Sequence, residues 1–407
     1  MSGIPTIALD DLMVPTSGSI DPSRFPDEAF ELYSIPAFDN GRPELSLGRE
    51  IGSSKQVVQP NDVLLSRIVP HVRRAWVVGK QRGCRQIASG EWIVFRSAKT
   101  HPSYLRYLLV EDRFHAQFMK TVAGVGGSLL RARPAHVADI EVPFPSLSGQ
   151  RRIAERLEQA DRLRRTRRYA LELTDNFLPA AFLELFGDPF AVPPTELARL
   201  EDVLEVDPQN GLYVPADRYV SNGDPKGTEM VHMSDLFGGI VTPGNLKRAL
   251  LETSEVAKYQ LSDRDLLVAR RSLVYDGAAQ PCRVPALKTP LVFESSMIRI
   301  RPDRSRMLAV YLCYYLTNRA VRENRVRRYV TISTISGINQ DNLCRIEVVV
   351  PPLPLQQKFA ALVERVERLR AVQCEALRQA EHLFAALLAR SFGADSPSEP
   401  GNSLPGN

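Results

Sequence analysis

Two stretches of the chain share one pattern of apolar and polar positions. They cover residues 145–187 and 351–393, and adding 206 to a number in the first gives the aligned position in the second. Apolar residues recur in both at spacings of three, four and seven, which is typical of a helix with one apolar stripe. The pattern predicts two helices of about 37 residues, each roughly 55 Å long, that pack on each other. The shared offset argues against two unrelated surface helices.

The predicted stripes can be named residue by residue. In the first helix the stripe consists of Ile153, Leu157, Ala160, Leu171, Thr174, Leu178, Ala181 and Leu185. In the second it consists of Leu362, Val366, Leu369, Ala376, Ala380, Leu383 and Leu387. Pro179 lies inside the first helix at the position of Ala385 in the second. Because proline removes a backbone hydrogen bond, we expect a kink or an interruption there.

The segments before the two helices also resemble each other. Short apolar runs bounded by turn residues predict strands at 63–65 and 92–95 in the first segment, and at 266–270 and 297–300 in the second. Longer helical patterns follow at 103–120 and 308–326, whereas the openings, 1–50 and 188–260, do not align by inspection. We therefore predict an α/β (α+β) domain followed by a long helix, twice. Such a repeat predicts an approximate two-fold axis and an antiparallel coiled coil.

The charge distribution repeats as well. The net charge of the 407 residues is only +5, but residues 51–150 carry 14 basic and 6 acidic side chains, and residues 261–350 carry 15 and 8. A basic body in each half fits a polyanion better than a membrane, although solvated surface charge stays an equal alternative. Five scattered cysteines, no apolar run long enough to span a bilayer and no signal-peptide pattern predict a reducing, cytoplasmic location and no metal site. The segment 394–407 has the composition of a disordered tail.

The sequence lacks the signatures of common enzymes. It contains no phosphate-binding glycine loop and no dinucleotide-binding glycine motif, and its six histidines stand alone. A recognition role is therefore favoured. Two alternatives stay open, namely a non-catalytic coiled-coil scaffold with incidental basic patches and an unrecognised nuclease.

Particular motifs resemble a known family. They are Gln-Arg-Arg-Ile-Ala at 150–154, Leu-Glu-x-Ala-Asp-x-Leu-Arg at 157–164, Phe-Leu-Glu-Leu-Phe-Gly-Asp-Pro at 182–189 and the run from Ile338 to Gln357. These stretches resemble the conserved helices, and the end of a target recognition domain, of type I restriction-modification specificity subunits. The resemblance implies target recognition domains at 1–144 and 188–350, a central conserved helix at 145–187 and a distal conserved helix at 351–393.

The family also implies a function. Each target recognition domain would read one half of a bipartite site in double-stranded DNA, and the helices would set the spacing. Methyltransferase subunits and a motor-nuclease (restriction) subunit would be the partners. S-adenosylmethionine, ATP and Mg would be bound by those partners only, so this chain would be non-catalytic and would carry no cofactor.

Candidate contact residues follow from clusters of basic residues beside predicted strands and loops. For DNA we predict Arg67, Arg73, Arg74, Lys80 and Arg82 in the first domain, and Arg270, Arg271, Arg283, Arg325, Arg327 and Arg328 in the second. Two loops at matching positions add Gly127 and Ser128 in the first domain, and Ser333 and Thr334 in the second. For docking of the methyltransferase subunits we predict Arg164, Arg165, Arg167 and Arg168.

Overall fold

The computed structural model of the chain describes residues 4–15, 18–123, 130–191, 193, 197–331 and 335–393. Two compact units are present. The first unit comprises residues 1–169 together with 374–407, and the second comprises residues 170–373. Each unit therefore combines a globular α/β part with a segment of each long helix. Gly127, Ser128, Ser333 and Thr334 lie outside the described residues.

The first unit is built around a mixed five-stranded sheet, β2-β5-β8-β3-β4, and an antiparallel three-stranded sheet, β7-β6-β9. Two short antiparallel pairs, β1-β12 and β10-β11, complete it. The strands are β1 (Thr6–Ala8), β2 (Ser19–Ile20), β3 (Ala29–Tyr33), β4 (Glu44–Leu47), β5 (Lys55–Val57), β6 (Val63–Ser66), β7 (Ala75–Val77), β8 (Arg85–Ala88), β9 (Trp92–Phe95), β10 (Val122–Ala123), β11 (Arg131–Ala132) and β12 (Glu141–Pro143).

The described part of the first unit contains four short α-helices, of which the last three contribute to the core on one face of the three-stranded sheet, whereas the first packs against the core on the other face. They are α1 (Ile35–Asp39), α2 (Pro102–Leu108), α3 (Asp112–Lys120) and α4 (Pro134–Ala138), followed by the long helix α5 (Leu147–Phe186). Strand β6 is buried on both faces because Val63 and Leu65 pack towards α2 and α5, whereas Leu64 packs towards Tyr33 and Trp92. The single helix predicted at 103–120 is wrong. The buried Glu111 side chain accepts hydrogen bonds from the first amides of α3, so a new helix begins there.

The second unit contains two four-stranded sheets, β14-β22-β18-β20 and β15-β17-β16-β21, and two short pairs, β13-β24 and β19-β23. The strands are β13 (Leu197–Arg199), β14 (Leu204–Asn210), β15 (Tyr219–Val220), β16 (Thr228–Val231), β17 (Arg248–Ala249), β18 (Leu266–Ala269), β19 (Arg271–Ser272), β20 (Pro281–Arg283), β21 (Leu291–Phe293), β22 (Met297–Pro302), β23 (Ser336–Gly337) and β24 (Glu347–Val349). Sheet pairing is antiparallel apart from β16 with β21.

Helices α6 (Thr253–Tyr259), α7 (Ala309–Thr317), α8 (Arg319–Val321), α9 (Gln340–Cys344) and the long α10 (Leu353–Phe392) belong to the second half of the chain. Strand β18 is buried on both faces, like β6: Leu266 and Val268 pack in the core that contains α7, whereas Leu267 packs in the other core. The helix predicted at 308–326 is interrupted at Asn318, whose side chain caps α8. The interruption corresponds to the one between α2 and α3.

Segments of α5 and α10 pack together within each unit. In the first unit the Arg164 guanidinium lies 3.8 Å from the Phe384 ring centroid, and Arg168 Nη2 lies 2.8 Å from Glu381 Oε1. In the second unit the hydroxyl of Thr174 donates to Gln373 Oε1 at 2.8 Å, and further along α5 the ring of Phe182 lies 5.5 Å from that of Phe359. As numbers rise along α5 they fall along α10, so the paired segments run in opposite directions in each unit.

The predicted apolar stripes are partly wrong. Leu369 and Leu383 are 52% and 45% exposed, whereas Phe359, Val363 and Phe384 are buried. The period of an α-helix differs from a strict seven-residue repeat, so the buried face drifts relative to a stripe extrapolated along the sequence. The predicted interruption at Pro179 is also wrong, because α5 continues through this exposed residue to Phe186. Of the helices that the structure describes, none is both long and apolar enough to cross a membrane.

Candidate nucleic-acid interface

A buried glutamine joins the long helix to the globular part in each unit. Gln150 of α5 accepts a hydrogen bond from the His101 amide at 2.8 Å, at the N-terminus of α2, and donates to the Pro145 carbonyl at 3.0 Å. Gln356 of α10 accepts from the Leu308 amide at 2.8 Å, at the N-terminus of α7, and donates to the Pro351 carbonyl at 2.8 Å. Both glutamines are fully buried. The two units therefore orient their long helices by the same contact.

A buried aspartate fixes the turn before the central strand in each unit. The Asp62 carboxylate accepts two hydrogen bonds from Arg96, both 2.7 Å long, and one from the Gln59 amide. In the second unit Asp265 accepts two from Arg301, at 2.7 and 3.0 Å, and one from the Ser262 amide. Both carboxylates are almost completely buried. Each ion pair connects the start of the central strand to the strand that pairs with it.

The openings of the two units, which do not align by inspection of the sequence, correspond in the structure. Strand β1 pairs with β12 and β13 pairs with β24, and a short 3-10 helix follows the first strand of each pair. The amides of Leu9 and Leu200 donate to the carbonyls of Ile140 and Ile346. Ala-Leu-Asp-Asp-Leu at 8–12 corresponds to Arg-Leu-Glu-Asp-Val at 199–203. This local match has an offset of 191 rather than 206, so a search at one fixed offset does not find it.

A carboxylate on the long helix faces an arginine and a tyrosine in each unit. Asp161 of α5 contacts Arg106 and Tyr107, each at 3.4 Å, and also Arg164 at 2.6 Å. Burial alone would raise the pKa of Asp161, but the hydrogen bond from Arg164 and the nearby arginine charges outweigh it, and the pKa lies below its ordinary value. At the matching position of α10, Glu367 forms an ion pair with Arg283 beside Tyr314. In the second unit the arginine of this contact is Arg283, which comes from strand β20.

The five predicted DNA contacts of the first unit occupy different environments. Arg67 pairs with Glu91 at 3.1 Å, and Arg73 pairs with Asp112 at 2.6 Å. Arg74 is bound by both carboxylate oxygens of Asp39, and only 12% of its side chain is exposed. Lys80 and Arg82 lie exposed on the connection between β7 and β8, and the structure gives neither an ion pair within the described residues. These last two cations are the most accessible to a phosphate.

Three of the six arginines predicted as DNA contacts in the second unit lie close to the loop between β18 and β20. Arg270 and Arg271 follow the central strand β18, and the exposed Arg271 belongs to β19. Arg327 pairs with Asp276 of the same loop at 2.6 Å, and its hydrogen bond lowers the pKa of Asp276. Arg328 pairs with Glu347 at 2.6 Å. The structure thus brings Arg270, Arg271 and Arg327 together beside one segment.

Two predicted contacts carry internal interactions instead. Arg325 is buried, and its guanidinium donates to the Tyr315 hydroxyl and, at 2.9 Å, to the Pro189 carbonyl. The side chain of Arg283 is only 11% exposed and pairs with Glu367. The sequence alone does not distinguish these arginines from their exposed neighbours, because their burial depends on contacts with distant segments.

The four arginines predicted for partner docking differ in accessibility. Arg164 and Arg165 both pair with Asp161, at 2.6 and 2.7 Å, whereas Arg168 pairs with Glu381. Arg167 is exposed, without an ion pair among the described residues. Within that same part of the chain, histidine, cysteine and acidic side chains do not gather in groups of three that could hold a metal ion. The arrangement offers basic loops and a basic helix face to a polyanion or an acidic protein surface.

Comparisons with known proteins give relatives in sequence and in fold. No protein-family model matches the chain. A relative described as the type I restriction enzyme StySPI specificity subunit, from Salmonella potsdam, is 26% identical over 320 residues, which cover 72% of this chain and 65% of the relative. The chain thus spans slightly less than two thirds of that relative's length. The resemblance to type I specificity subunits is confirmed.

Solved structures of such proteins share the fold. The S subunit of a type I restriction-modification system from M. genitalium matches with a TM-score of 0.57 at 10% identity, over 95% of this chain and 96% of the other. A chain from a structure that describes complex assembly and conformational transition of the type I system matches with a TM-score of 0.54 at 20% identity, over 96% and 97%. Similarity in fold to type I specificity subunits therefore extends over most of the chain.

Proposed function

We propose that this chain is the non-catalytic DNA-specificity subunit of a type I restriction-modification complex. Each target recognition domain, at 1–144 and 188–350, reads one half of a bipartite site in double-stranded DNA. The observation that supports this most strongly is the framework that occurs twice in one chain, around Gln150 and Gln356 and around Asp62 and Asp265. A duplicated scaffold with different surface loops suits two readers of two different half-sites.

The long helices are the proposed spacer. In this proposal α5 and α10, each of 40 residues, pair as an antiparallel coiled coil, and an approximate two-fold axis relates the two repeats. Contacts that run in opposite directions in each unit support this arrangement. A helix of this length extends about 60 Å, which exceeds one turn of DNA, about 34–36 Å. Two half-sites separated by a spacer of fixed length follow from it.

The proposed DNA-contacting residues are the accessible cations beside loops. They are Arg67, Arg73, Lys80 and Arg82 in the first unit and Arg270, Arg271, Arg327 and Arg328 in the second, together with the loops that contain Gly127, Ser128, Ser333 and Thr334. Arg74, Arg283 and Arg325 are left out of this set because their side chains are largely buried in addition to being bound by internal carboxylates or carbonyls. Removing one phosphate contact lowers the salt dependence of binding by about one unit of slope.

Methyltransferase subunits are the proposed partners of the helical region, and a motor-nuclease subunit joins them. S-adenosylmethionine, ATP and Mg belong to those partners. Arg167 is the best probe of this surface, because Arg164 and Arg165 pair with the buried Asp161 and their reversal would also disturb the fold. Arg167→Glu is expected to reduce co-purification of the methyltransferase subunit, while Arg49→Glu, at an exposed position outside the long helices, serves as the control. Undiminished co-purification would remove Arg167 from the proposed surface.

The experiment that tests the function uses the full chain co-expressed with its methyltransferase subunit. The complex is incubated with a library of random duplexes, and bound duplexes are sequenced. The proposal predicts two constant blocks separated by a spacer of fixed length, and salt-dependent binding. A scaffold would select no sequence. A nuclease would cleave duplex DNA as the isolated chain in the presence of Mg²⁺, and either result would replace the proposal.

A further inference from the structure

One loop of the second unit exposes two large apolar side chains that are adjacent in sequence. It connects β18 to β20 and includes β19. Leu273 is 84% exposed and Val274 is 66% exposed, and Leu273 is the most exposed large apolar residue in the part of the chain that the structure describes. Phe237, which lies next to Gly277 of the same loop, is 54% exposed. Single exposed apolar residues are ordinary, but adjacent ones often mark a binding surface.

The loop is fixed in its exposed conformation. Strand β19 pairs with β23, the Val274 amide donates to the Ser272 hydroxyl at 3.1 Å, and the Gly277 amide donates to the Val274 carbonyl at 2.9 Å. A Cβ at Gly277 would lie 2.3 Å from the Ser272 hydroxyl oxygen, so a larger residue there would displace the side chain that binds the Val274 amide. These bonds prevent the two apolar side chains from folding back onto the surface.

A partly buried arginine supports the base of the loop. The guanidinium of Arg322 donates to the carbonyls of Asp276 at 2.8 Å and Ala278 at 2.7 Å. The pairing of β19 with β23, the hydrogen bonds within the turn and the Arg322 guanidinium therefore hold the loop, while Leu273 and Val274 at its tip stay exposed. A preformed protrusion of this kind loses little conformational entropy when it binds.

The charge around the tip indicates the kind of partner. Arg270 and Arg271 precede Leu273, and Arg327 lies over the Tyr275 ring at 5.0 Å and pairs with Asp276. An apolar tip on a loop that carries Arg270 and Arg271 and is contacted by Arg327 fits a polyanion that has apolar groups between its charged edges. In a DNA groove, phosphates line the edges, and the C5-methyl group of thymine is an apolar group on the base edge.

The first unit has a loop at the matching position, after its central strand β6. It is rich in arginine as well, and it presents Val72, which is 38% exposed, between Arg67 and Arg73. Its Val69 has a φ of +47°, an unusual value for a β-branched residue, which indicates that the surrounding contacts fix this loop too. The feature therefore belongs to the shared plan of the two units, and its apolar character is stronger in the second.

We propose that Leu273 and Val274 enter a groove of the duplex and contact a thymine methyl group, so that apolar contact contributes to reading the half-site of the second unit. This inference rests on the proposed function and adds the kind of base that the loop recognises. It predicts that the half-site read by the second unit contains thymine at the position beneath the loop.

The test uses the full chain in complex with its methyltransferase subunit and the duplex selected by the wild-type complex. The double variant Leu273→Ala with Val274→Ala is expected to bind that duplex at least tenfold more weakly, with an unchanged salt slope and unchanged binding to random duplex. Replacing the contacted thymine with uracil is expected to weaken the wild-type complex several-fold and to leave the double variant unaffected. Because both residues are exposed, the melting temperature should not change.

The controls separate this inference from the proposed function. Leu45→Ala removes a leucine that is 70% exposed elsewhere, on β4, and should not alter binding. A wild-type complex that selects no sequence contradicts the proposed function and this inference together. If the wild-type complex selects a sequence but the double variant binds it equally well, this inference alone is contradicted. The same holds if the uracil duplex binds the wild-type complex as tightly as the thymine duplex. If the double substitution weakens binding to random duplex as much as binding to the selected duplex, the inference is overturned as well.

Discussion

The two units agree in the contacts that hold them together and differ in the loops that they expose. Gln150 and Gln356 connect helices in the same way, and the buried pairs of Asp62 with Arg96 and Asp265 with Arg301 have nearly the same geometry. The sheets around these contacts differ in strand number and order. Because the shared contacts are buried, the comparison separates residues that maintain the fold from exposed residues that can determine a target sequence.

The largest loss of stability is expected when the buried ion pair of either unit is removed. Asp265→Ala and Asp62→Ala each leave an arginine without its buried carboxylate and should each lower the free energy of unfolding by about 3 kcal/mol. The loss should be somewhat larger for Asp265, because Arg301 is 22% exposed and Arg96 is 37% exposed and better solvated. Chemical denaturation would measure both. Asp263→Ala, at an exposed position on the same turn, is the control and should cost little.

The buried glutamines should give the next largest effect. Gln150→Ala and Gln356→Ala each leave a buried amide and carbonyls without partners, which costs about 2 kcal/mol. If the two contacts are equivalent, the two losses should agree within experimental error, whereas Gln357→Ala, next to Gln356 but exposed, should be nearly neutral. A large loss of stability in one unit and none in the other would show that the two buried glutamines do not contribute equally to stability.

The difference in melting temperature between the wild type and the variant Asp161→Asn should depend on pH. The pKa of this carboxyl is lower in the folded chain than its ordinary value, so its stabilising contribution is complete above that ordinary value and is lost as the pH falls through the lowered one. Asp161→Asn should therefore melt at a lower temperature than the wild type at neutral pH, and the difference should shrink in acid. Glu155→Gln, at an exposed position of α5, should show no such convergence.

The smallest effects should come from single surface cations. Arg271→Ala in the second unit and Arg82→Ala in the first should each reduce the slope of log affinity against log salt by about one, with no change in the melting temperature. Filter binding of the complex at several salt concentrations would measure the slopes. Slopes that match the wild type for both variants would place these residues away from the DNA backbone.

The long helices and several strands can be predicted from the sequence because their signals are periodic. The long helices, observed at Leu147–Phe186 and Leu353–Phe392, follow from apolar spacing, and strand β9 occupies the predicted residues 92–95. The breaks at Glu111 and Asn318 were missed, because a polar residue inside a helical pattern becomes a cap only when tertiary contacts favour it.

The candidate site was harder to predict from sequence. Arg271 and Arg325 look alike in the sequence, yet one is exposed and the other is buried between distant segments. The sequence pattern does not distinguish Leu273 either, because an apolar residue after a strand is ordinarily expected in the core. Its exposure depends on the backbone contacts of the loop, which the pattern of residue types does not encode.

The central claim is that the two units read separate halves of one DNA site, and one selection experiment tests it most directly. Random duplexes are selected with the wild-type complex, with Thr334→Ala in the second unit and with Ser128→Ala in the first, because these two loop residues are proposed to contact bases rather than phosphates. The account predicts two constant blocks for the wild type, with one block degraded by the first substitution and the other block degraded by the second. A single continuous site, or equal degradation of both blocks by either substitution, would contradict it.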